Sequence, residues 1–287
     1  MKEIVVLSGK GGTGKTSIVG SFAALAKNKV LVDCDVDAAD LHLLLQPVIR
    51  EKHDFRSGKT AAIDGDKCIQ CGLCQELCRF IAITDFKVNP ISCEGCGFCF
   101  HVCPAGAIKM NENIAGECFI SDTDYGTLVH ARLGIAQENS GKLVASVRQT
   151  ARVIAEKQGA DYIINDGPPG IGCPVISSLS GTRLALLVTE PTLSGIHDLD
   201  RVLEVCQHFN VPALVCINKY NINEDNTRHI EDYCLAQQVD VIAKIPFDRV
   251  FTDAMIHGLP VVKYSNGKVS KQINLLWQNI LDRLNNI

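Results

Sequence analysis

Short apolar runs alternate along this chain with longer stretches whose apolar residues recur at helical spacing. The run from Ile4 to Leu7 is apolar throughout, and the segment after it repeats apolar residues at Phe22, Leu25 and Ala26. Strands that are apolar on both faces are typical of parallel sheets covered by helices, so the pattern predicts an α/β fold with a doubly wound, mostly parallel sheet. Further strands are predicted at 30–35, 161–166, 183–189, 211–218 and 239–245, with helices near 194–209 and 224–237.

The C-terminal segment has the spacing of an amphipathic helix. Its polar face carries Gln and Asn with a single Arg, so it lacks the cationic character of helices that lie on membranes. We therefore expect a helix docked on the protein core. The apolar face comprises Ile273, Leu276, Trp277, Ile280, Leu281 and Leu284.

Composition and charge limit the classes of partner. A chain of 287 residues with 46% hydrophobic content can form a large core and one small additional domain. A formal net charge of -4 provides no positive field to attract nucleic acid, so no nucleic-acid partner is expected. No segment has the length and apolarity for stable membrane insertion. Met1-Lys2-Glu3 leads straight into the first strand without a charged-then-apolar leader, which favours a cytoplasmic location.

A glycine-rich loop follows the first predicted strand. Gly9, four further residues and then Gly14-Lys15-Thr16 have the spacing of a phosphate-binding loop, in which successive amides surround a phosphate at a helix N-terminus. Lys15 is expected to reach the terminal phosphates of ATP, and Thr16 is expected to bind Mg²⁺. The expected nucleotide-binding residues of this segment are Gly9, Lys10, Gly11, Gly12, Thr13, Gly14, Lys15, Thr16 and Ser17.

Eight of the fourteen cysteines form two copies of the spacing CxxCxxCxxxC. This is the ligand pattern of bacterial-type ferredoxins with two 4Fe–4S clusters, where the fourth cysteine of each copy binds the other cluster. Zinc favours two separated CxxC pairs, and disulfides are disfavoured in a reducing compartment. Pro104 follows the second copy as the pattern expects, but Arg79 follows the first. One expected cluster is held by Cys68, Cys71, Cys74 and Cys103, and the other by Cys93, Cys96, Cys99 and Cys78.

Lys10 makes the phosphate loop more specific. The run KGGTGKT resembles the deviant Walker A motif of the MinD, ParA, Mrp and nitrogenase iron-protein group. In that group the first lysine crosses a homodimer interface and contacts the partner's nucleotide. The resemblance therefore implies a nucleotide-dependent homodimer in which Lys10 and Lys15 are catalytic. Taken whole, the chain resembles MinD-superfamily P-loop ATPases that contain an inserted ferredoxin domain.

The same resemblance assigns roles outside the loop. Asp35, supported by Asp33, is expected to orient the attacking water or a magnesium-bound water at the carboxyl edge of the sheet. Asp37 and Asp40 follow in a segment that resembles switch I, and one of them is the candidate to share that role. Asp166 resembles the Walker B aspartate that holds magnesium through water, and Gly167 begins a loop similar to switch II. Cys173 closes this loop, and we expect it to be buried rather than to bind a third cluster. The base-contacting residues implied by the resemblance are Asn218, Lys219, Pro246 and Asp248.

The motifs divide the chain into two predicted domains. Residues 1–60 and 113–287 form a P-loop ATPase domain that takes ATP and Mg²⁺. A small α+β ferredoxin-like domain at 61–112 is inserted between them, since insertions are tolerated at exposed loops.

Three functions follow from these two sites. The favoured hypothesis is an ATPase, slow without its partner, whose nucleotide-driven dimer switching gates electron transfer through two 4Fe–4S clusters to an unidentified redox or metalloprotein partner. The first alternative is an Mrp-like ATPase that assembles or carries iron–sulfur clusters or another metal centre. The second is a MinD- or ParA-like positioning ATPase whose clusters act as redox sensors.

Overall fold

The computed structural model describes residues 1–134 and 139–286, within which eleven strands and eleven α-helices form. The strands are β1 (Lys2–Ser8), β2 (Lys29–Asp33), β3 (Val48–Ile63), β4 (Ile83–Thr84), β5 (Lys87–Val88), β6 (Ile108–Thr123), β7 (Gly126–Leu133), β8 (Tyr162–Pro169), β9 (Leu184–Thr189), β10 (Ala213–Asn218) and β11 (Asp240–Ile245). The helices are α1 (Lys15–Leu25), α2 (Leu41–Leu45), α3 (Leu73–Glu76), α4 (Phe98–Val102), α5 (Ser140–Gln158), α6 (Cys173–Leu179), α7 (Leu193–His208), α8 (Glu224–Ala236), α9 (Val250–Ile256), α10 (Val261–Tyr264) and α11 (Lys268–Asn286).

The chain divides into two compact units. The first comprises Met1–Lys52, Cys118–Arg132 and Ser140–Ile287, and the second comprises His53–Glu117 and Leu133–Asn139. The boundaries at residues 52 and 118 fall inside β3 and β6, so the division does not coincide with strand ends. The range 61–112 lies within the second unit.

Nine strands form one sheet in the order β11-β10-β9-β1-β8-β2-β7-β6-β3. The strand β1 pairs in parallel with β8 and β9, β2 pairs in parallel with β7 and β8, and β10 pairs in parallel with β9 and β11. Because these strands run in one direction, their carboxyl ends meet at one edge of the sheet. The α/β class and the large, mostly parallel sheet predicted from the sequence are confirmed.

The alternation of side chains along β1 shows why helices cover both faces of the sheet. Ile4 and Val6 belong to one apolar cluster, and Val5 and Leu7 belong to another. Successive residues of a strand point to opposite faces, so the two clusters lie on opposite sides of the sheet. The first cluster includes residues of α1 and α11, and the second includes residues of α6, α7 and α8.

The C-terminal helix α11 is part of the core, as predicted. The Trp277 ring lies with its centroid 5.0 Å from that of Phe22 and 5.9 Å from that of Tyr162. Ile273, Leu276 and Ile280 are fully buried. The apolar face therefore packs on the protein and is not available to a membrane surface. Within the described residues, none of the helices combines the length and apolarity required to span a membrane.

Candidate functional site

The loop between β1 and α1 has the backbone conformation that a phosphate-binding loop requires. Gly12 and Gly14 have φ angles of 77° and 93°, a region that glycine adopts readily and other residues rarely do. Helix α1 begins at Lys15, directly after Gly14, so no side chain caps its first turn. The amides of that turn are consequently free to bind an anion at the positive end of the helix.

The end of β10 supports the loop from one side. The Asn218 side-chain nitrogen donates to the Thr13 carbonyl oxygen at 2.7 Å, and Lys219 Nζ donates to the Gly12 carbonyl oxygen at 2.9 Å. A Cβ atom on Gly14 would lie 2.5 Å from the Asn218 side-chain nitrogen. The loop and the strand end therefore touch so closely that only glycine fits at this position.

A cavity of about 360 Å³ lies beside the loop, within the size range of small-molecule sites. Its walls combine loop residues, polar residues at the end of β10 and a group of apolar side chains. The lining residues are Gly12, Gly14, Lys15, Thr16, Ser17, Asp40, Asn218, Lys219, Phe247, Asp248, Phe251, Thr252 and Met255.

The cavity brings together many of the residues predicted from the sequence. Other predicted residues do not line the cavity. Pro246 is buried, and Gly167 packs so tightly on β1 that a Cβ atom added to it would lie 2.4 Å from the Leu7 side chain. The predicted residues outside the lining are Gly9, Lys10, Gly11, Thr13, Asp33, Asp35, Asp166, Gly167 and Pro246.

Of the apolar wall of the cavity, the sequence indicated only Phe247, which lies between the predicted residues Pro246 and Asp248. Phe247, Phe251 and Met255 lie on the segment that runs from the end of β11 into α9. Phe247 is 60% exposed despite its size.

Asp166 is a buried carboxylate with spare binding capacity. It accepts a hydrogen bond from the Thr16 side chain, while its Oδ1 atom is buried without a hydrogen-bond partner among the described residues. Burial raises the pKa of Asp166 to about 6, and the nearby Lys15 ammonium opposes that rise. An unpaired carboxylate oxygen beside a threonine hydroxyl fits a Mg²⁺ ion, which prefers oxygen ligands.

The two carboxylates at the C-terminal end of β2 have different environments. Asp33 is 1% exposed and accepts hydrogen bonds from the backbone amides of Asp35 at 3.0 Å and Leu41 at 3.2 Å, so it organises the loop before α2. Burial and then the charge of Asp166 raise the pKa of Asp33 well above its usual value. Asp35 is only half-buried, and burial raises its pKa while Lys15 lowers it. Asp35 is therefore the carboxylate that remains accessible to water.

Lys10 and Lys219 share one carboxylate. Lys10 Nζ lies 2.7 Å from Glu190 Oε1, and Lys219 Nζ lies 2.8 Å from Glu190 Oε2. Burial acts to raise the pKa of Glu190, but hydrogen bonds from the two lysines hold it below the ordinary value. Lys10 Nζ also donates to the hydroxyls of Thr192 at 3.0 Å and Ser194 at 2.9 Å. These three acceptors were not predicted from the sequence, although Glu190 follows a buried strand at the carboxyl edge of the sheet.

In the second unit, the duplicated cysteine motif separates into two sets around two cavities. A cavity of about 20 Å³ is lined by one set, and a cavity of about 420 Å³ is lined by the other set together with Cys74. Because the smaller cavity holds only about 20 Å³, the four cysteines around it must move apart to admit a cubane. The two sets are Cys68, Cys71, Cys74 and Cys103, and Cys78, Cys93, Cys96 and Cys99.

The two copies of the motif share local geometry. Cys78 Sγ accepts the amide of Ala82 at 3.4 Å, and Cys103 Sγ accepts the amide of Ala107 at 3.3 Å. Amide donors to sulfur are typical of thiolates that bind iron–sulfur clusters. Gly95, at a φ angle of 62°, has no space for a Cβ atom, which would lie 2.0 Å from the Lys59 carbonyl oxygen.

The eight motif thiols are the type of donor that a 4Fe–4S cubane uses. Within the described residues, no group of three or more His, Cys, Asp or Glu side chains is arranged to hold one metal ion. Four thiols spread around a cavity are what a 4Fe–4S cubane requires, because each sulfur binds a different iron atom. The donor sets therefore fit cubanes in composition and grouping.

Cys173 differs from the expectation that it would be buried. It is exposed at the first residue of α6, directly before Pro174. The first turn of this helix begins at the end of a glycine-containing loop, which places the thiol on the surface. Of the other cysteines outside the motif, Cys34, Cys206, Cys216 and Cys234 are buried and Cys118 is half-buried.

Comparisons with known proteins give the family. Residues 4–261 match the family model CbiA, described as the CobQ/CobB/MinD/ParA nucleotide binding domain. The chain is 35% identical over 289 residues to Uncharacterized protein MJ0578 of Methanocaldococcus jannaschii, covering 97% of this chain and 96% of that protein. It is 24% identical over 293 residues to the septum site-determining protein MinD of Bacillus subtilis, covering 99% of this chain and 88% of that protein.

The fold comparison agrees with the sequence comparison. The structure of MinD from Pyrococcus horikoshii OT3, complexed with Mg-ADP, matches with a TM-score of 0.59 at 19% identity, covering 97% of this chain and 95% of that chain. This likeness shows the fold, while the family model and the 35% identical relative show the ancestry. The chain belongs to the CobQ/CobB/MinD/ParA nucleotide-binding domain family.

Proposed function

We propose that this protein is an ATPase that uses ATP binding and hydrolysis to gate electron transfer through two 4Fe–4S clusters to a redox or metalloprotein partner. The observation that carries the proposal is the separation of eight motif cysteines into two sets of four around two cavities. A protein that only binds nucleotide has no use for such a pair of thiol sets. The cluster-binding domain is proposed to be 61–112, and the ATPase domain 1–60 and 113–287.

The nucleotide is proposed to bind in the cavity beside the phosphate loop. Lys15, which is 6% exposed, supplies a positive charge for the terminal phosphates, and the amides at the start of α1 supply neutral donors. Thr16 and Asp166 would hold Mg²⁺, which neutralises phosphate charge when it is bound. The exposed Phe247 offers a face on which a base can stack.

Hydrolysis requires a water molecule positioned against the terminal phosphate. Asp35 is the proposed positioning carboxylate, because it is half-buried and keeps an accessible face while Asp33 is occupied by two backbone amides. Lys10 is proposed to contact the nucleotide of a second copy of the chain in an ATP-dependent homodimer. Its charge would then stabilise the phosphate oxygens as the bond breaks.

The clusters are proposed to be resident electron carriers. Each would have four protein thiolates, so no iron is left with an exchangeable ligand for transfer to another protein. The proposed ligands are Cys68, Cys71, Cys74 and Cys103 for one cluster and Cys93, Cys96, Cys99 and Cys78 for the other. When bound, such clusters accept and release single electrons.

The experiment that tests the proposal is anaerobic reconstitution followed by kinetics. The loaded protein is expected to contain roughly eight iron atoms per chain. After reduction, electron transfer to the partner protein should be faster with ATP than with ADP, and Lys15→Ala should remove the difference. Equal rates with ATP, with ADP and without nucleotide, in protein shown to bind ATP, would refute the coupling.

A second candidate is supported by the relative from Bacillus subtilis, whose name describes a septum site-determining protein. In that case ATP would control attachment to a cellular surface, and clusters would report redox state. Sedimentation with anionic vesicles distinguishes the two functions. ATP-dependent sedimentation without ATP-dependent electron transfer favours positioning, whereas the reverse result favours the electron-transfer function.

A further inference from the structure

The two copies of the cysteine motif differ at matched positions. The residue after the first cysteine is Ile69 in the first copy and Glu94 in the second. The residue after the fourth cysteine is Arg79 in the first copy and Pro104 in the second. Arg79 and Glu94 both line the larger cavity of about 420 Å³, and the uncharged pair lines the smaller cavity of about 20 Å³. Both charged residues therefore lie at the same cavity.

Charge distinguishes the two cavities. Among the described residues, the smaller cavity is lined by no Asp, Glu, Lys, Arg or His side chain. Arg79 and Glu94, at the larger cavity, are exposed and have no ion-pair partner in the described part of the chain. Beside the smaller cavity, the Asp64 carbonyl oxygen accepts the Cys68 amide at 3.0 Å, but the Asp64 carboxylate lies 3.8 Å from Lys109 Nζ. The opposite charges of this ion pair largely offset each other.

Hydrogen bonds to cysteine sulfur do not distinguish the two sites. Cys78 Sγ accepts the Ala82 amide at 3.4 Å at the larger cavity, and Cys103 Sγ accepts the Ala107 amide at 3.3 Å at the smaller one. The reduction potential of an iron–sulfur cluster depends on net charge, hydrogen bonds to sulfur and solvent exposure. Because the hydrogen bonds are matched, charge and solvent exposure are the determinants in which the two sites differ.

Arg79 and Glu94 respond in opposite ways to a bound cluster. A cube with four thiolate ligands is anionic and gains one more negative charge on reduction. The guanidinium of Arg79 is attracted to this charge and has five N–H donors, whereas the carboxylate of Glu94 has no donor and is repelled towards water. Arg79 consequently dominates the field at the cluster and favours the reduced state. The larger cavity also leaves more room for water, which favours the more highly charged state as well.

We propose that Arg79 raises the reduction potential of the cluster bound by Cys78, Cys93, Cys96 and Cys99 above that of the other cluster. This inference rests on the proposed function, in which both clusters are resident electron carriers. An electron that enters at the smaller cavity passes to the larger one, so that one cluster is oxidised by one electron and the other is reduced by one, with no bond made or broken. A chain that holds one electron therefore holds it at the larger cavity.

Matched variants separate the charge of Arg79 from its shape. Arg79→Gln removes the charge, and Arg79→Lys retains it. Pro104→Arg places a guanidinium at the matched position beside the smaller cavity. Both positions are exposed, so these substitutions should not affect folding. The control is Lys87→Gln, which removes a positive charge at an exposed position of β5 that lines neither cavity.

The measurement is an anaerobic redox titration of the full chain, reconstituted with iron and sulfide, reduced with dithionite and followed by EPR. It gives two one-electron midpoints. Arg79→Gln should lower the higher midpoint and leave the lower one unchanged. The preference of the electron for the cluster of higher potential should fall about tenfold, which corresponds to about 59 mV. The effect is no larger because water screens the field of an exposed charge.

The other variants give the sign of the effect. Pro104→Arg should raise the lower midpoint, so that the gap between the midpoints narrows from the opposite side. Arg79→Lys should retain most of the wild-type gap, and Lys87→Gln should retain all of it. Iron content measured on every sample shows whether both clusters are present.

The outcomes separate this inference from the proposed function. Unchanged midpoints in Arg79→Gln, or a shift of the lower midpoint instead of the higher one, overturn the role of Arg79 and leave the proposed function intact. Loss of one cluster from Arg79→Gln alone would mean that Arg79 is needed for cluster binding, and also overturns the inference. Midpoints that respond to Arg79 as expected, in protein whose electron transfer ignores ATP, support the inference and refute the ATP coupling. A wild-type chain that retains no iron after reconstitution overturns both.

Discussion

Asn218 donates its side-chain N–H to the carbonyl oxygen of Thr13 at 2.7 Å, and both residues are buried. The two residues are 205 positions apart in the chain, so the bond fastens the phosphate loop to the end of β10. In the resemblance to P-loop ATPases, Asn218 was expected to contact the base. The structure gives it a second role, in which it holds the loop that receives the phosphates.

The first prediction concerns this bond. Asn218→Ala should leave the Thr13 carbonyl oxygen buried without a donor, and should lower the free energy of unfolding by about 1 to 3 kcal/mol. The same change should weaken ATP binding, because the loop loses its support. Titration calorimetry gives the affinity, and urea unfolding followed by the fluorescence of Trp277 gives the stability.

A matched control is Asn279→Ala, since Asn279 donates to the Ile242 carbonyl oxygen at 2.9 Å outside the cavity. It should lose stability but keep its affinity for ATP. If Asn218→Ala binds ATP as tightly as the control does, the support role assigned to Asn218 is wrong.

The second prediction separates nucleotide binding from hydrolysis. Asp35→Asn should retain ATP affinity and lose most of the turnover, because an amide orients the attacking water less well than a carboxylate. Lys15→Ala should instead lose affinity, since it removes the buried cation of the cavity. Measurement of phosphate release at saturating ATP, alongside equilibrium binding, distinguishes the two effects. Asp37→Asn, at an exposed neighbouring position, tests whether that carboxylate shares the role of Asp35. Undiminished phosphate release by Asp35→Asn would remove this residue from the mechanism.

The third prediction uses the grouping of the cysteines around the two cavities. Cys103→Ser should abolish the same EPR signal as Cys71→Ser, although the two residues belong to different copies of the motif. Cys78→Ser should instead match Cys96→Ser. The physical reason is that the fourth cysteine of each copy lines the cavity of the other copy.

The control for the cysteine series is Cys173→Ser, an exposed thiol of the first unit, which should leave both signals unchanged. Pairing of Cys103→Ser with Cys96→Ser would show that each copy binds its own cluster. Loss of both signals in every motif variant would show that the unit folds only when both clusters are bound.

The fourth prediction concerns pH and His130. Its ring nitrogen Nε2 lies 2.9 Å from Ser121 Oγ, and the ring stacks on Phe119 with centroids 5.0 Å apart. Burial, and secondarily the charge of His42, lowers the pKa of His130 to about 4. In the unfolded chain a histidine has a pKa near 6.5. Between about pH 6.5 and pH 4 the imidazole is therefore protonated in the unfolded state and neutral in the folded state.

His130 should therefore stabilise the fold fully above about pH 6.5 and lose that contribution as the pH falls towards 4, by about 2 to 3 kcal/mol in total. His130→Gln, which keeps a polar group for Ser121, should flatten the dependence of unfolding free energy on pH in this window. His208→Gln, at an exposed position of α7, should retain the wild-type slope. Identical slopes in all three proteins would contradict a buried neutral imidazole.

The sequence predicted the parallel part of the fold because its strands are apolar on both faces. The prediction for 211–218 lies within two residues of β10, which spans Ala213–Asn218. It missed β3, whose sixteen residues VIREKHDFRSGKTAAI are mostly exposed and rich in charge. A strand with neither a buried face nor regular alternation leaves no periodic signal, and its pairing depends on neighbours distant in the sequence.

The candidate site likewise has one part that the sequence predicted and one part that it did not. The glycine spacing predicted the loop because Gly12 and Gly14 must adopt positive φ angles there. The contact between Lys10 and Ser194 was not predictable, since it joins residues 184 positions apart through the packing of α7. Local conformation is encoded in local residues, but which acceptor a flexible lysine reaches depends on the whole fold.

The lack of space at Gly9 has a mechanical consequence. Because the first residue of the phosphate loop abuts Asp198 on α7, the loop cannot shift towards this helix unless the helix also shifts. A displacement in that direction would press on α7, where Leu193 and His197 face solvent. A protein that binds this surface of α7 would respond to the conformation of the phosphate loop without contacting the nucleotide.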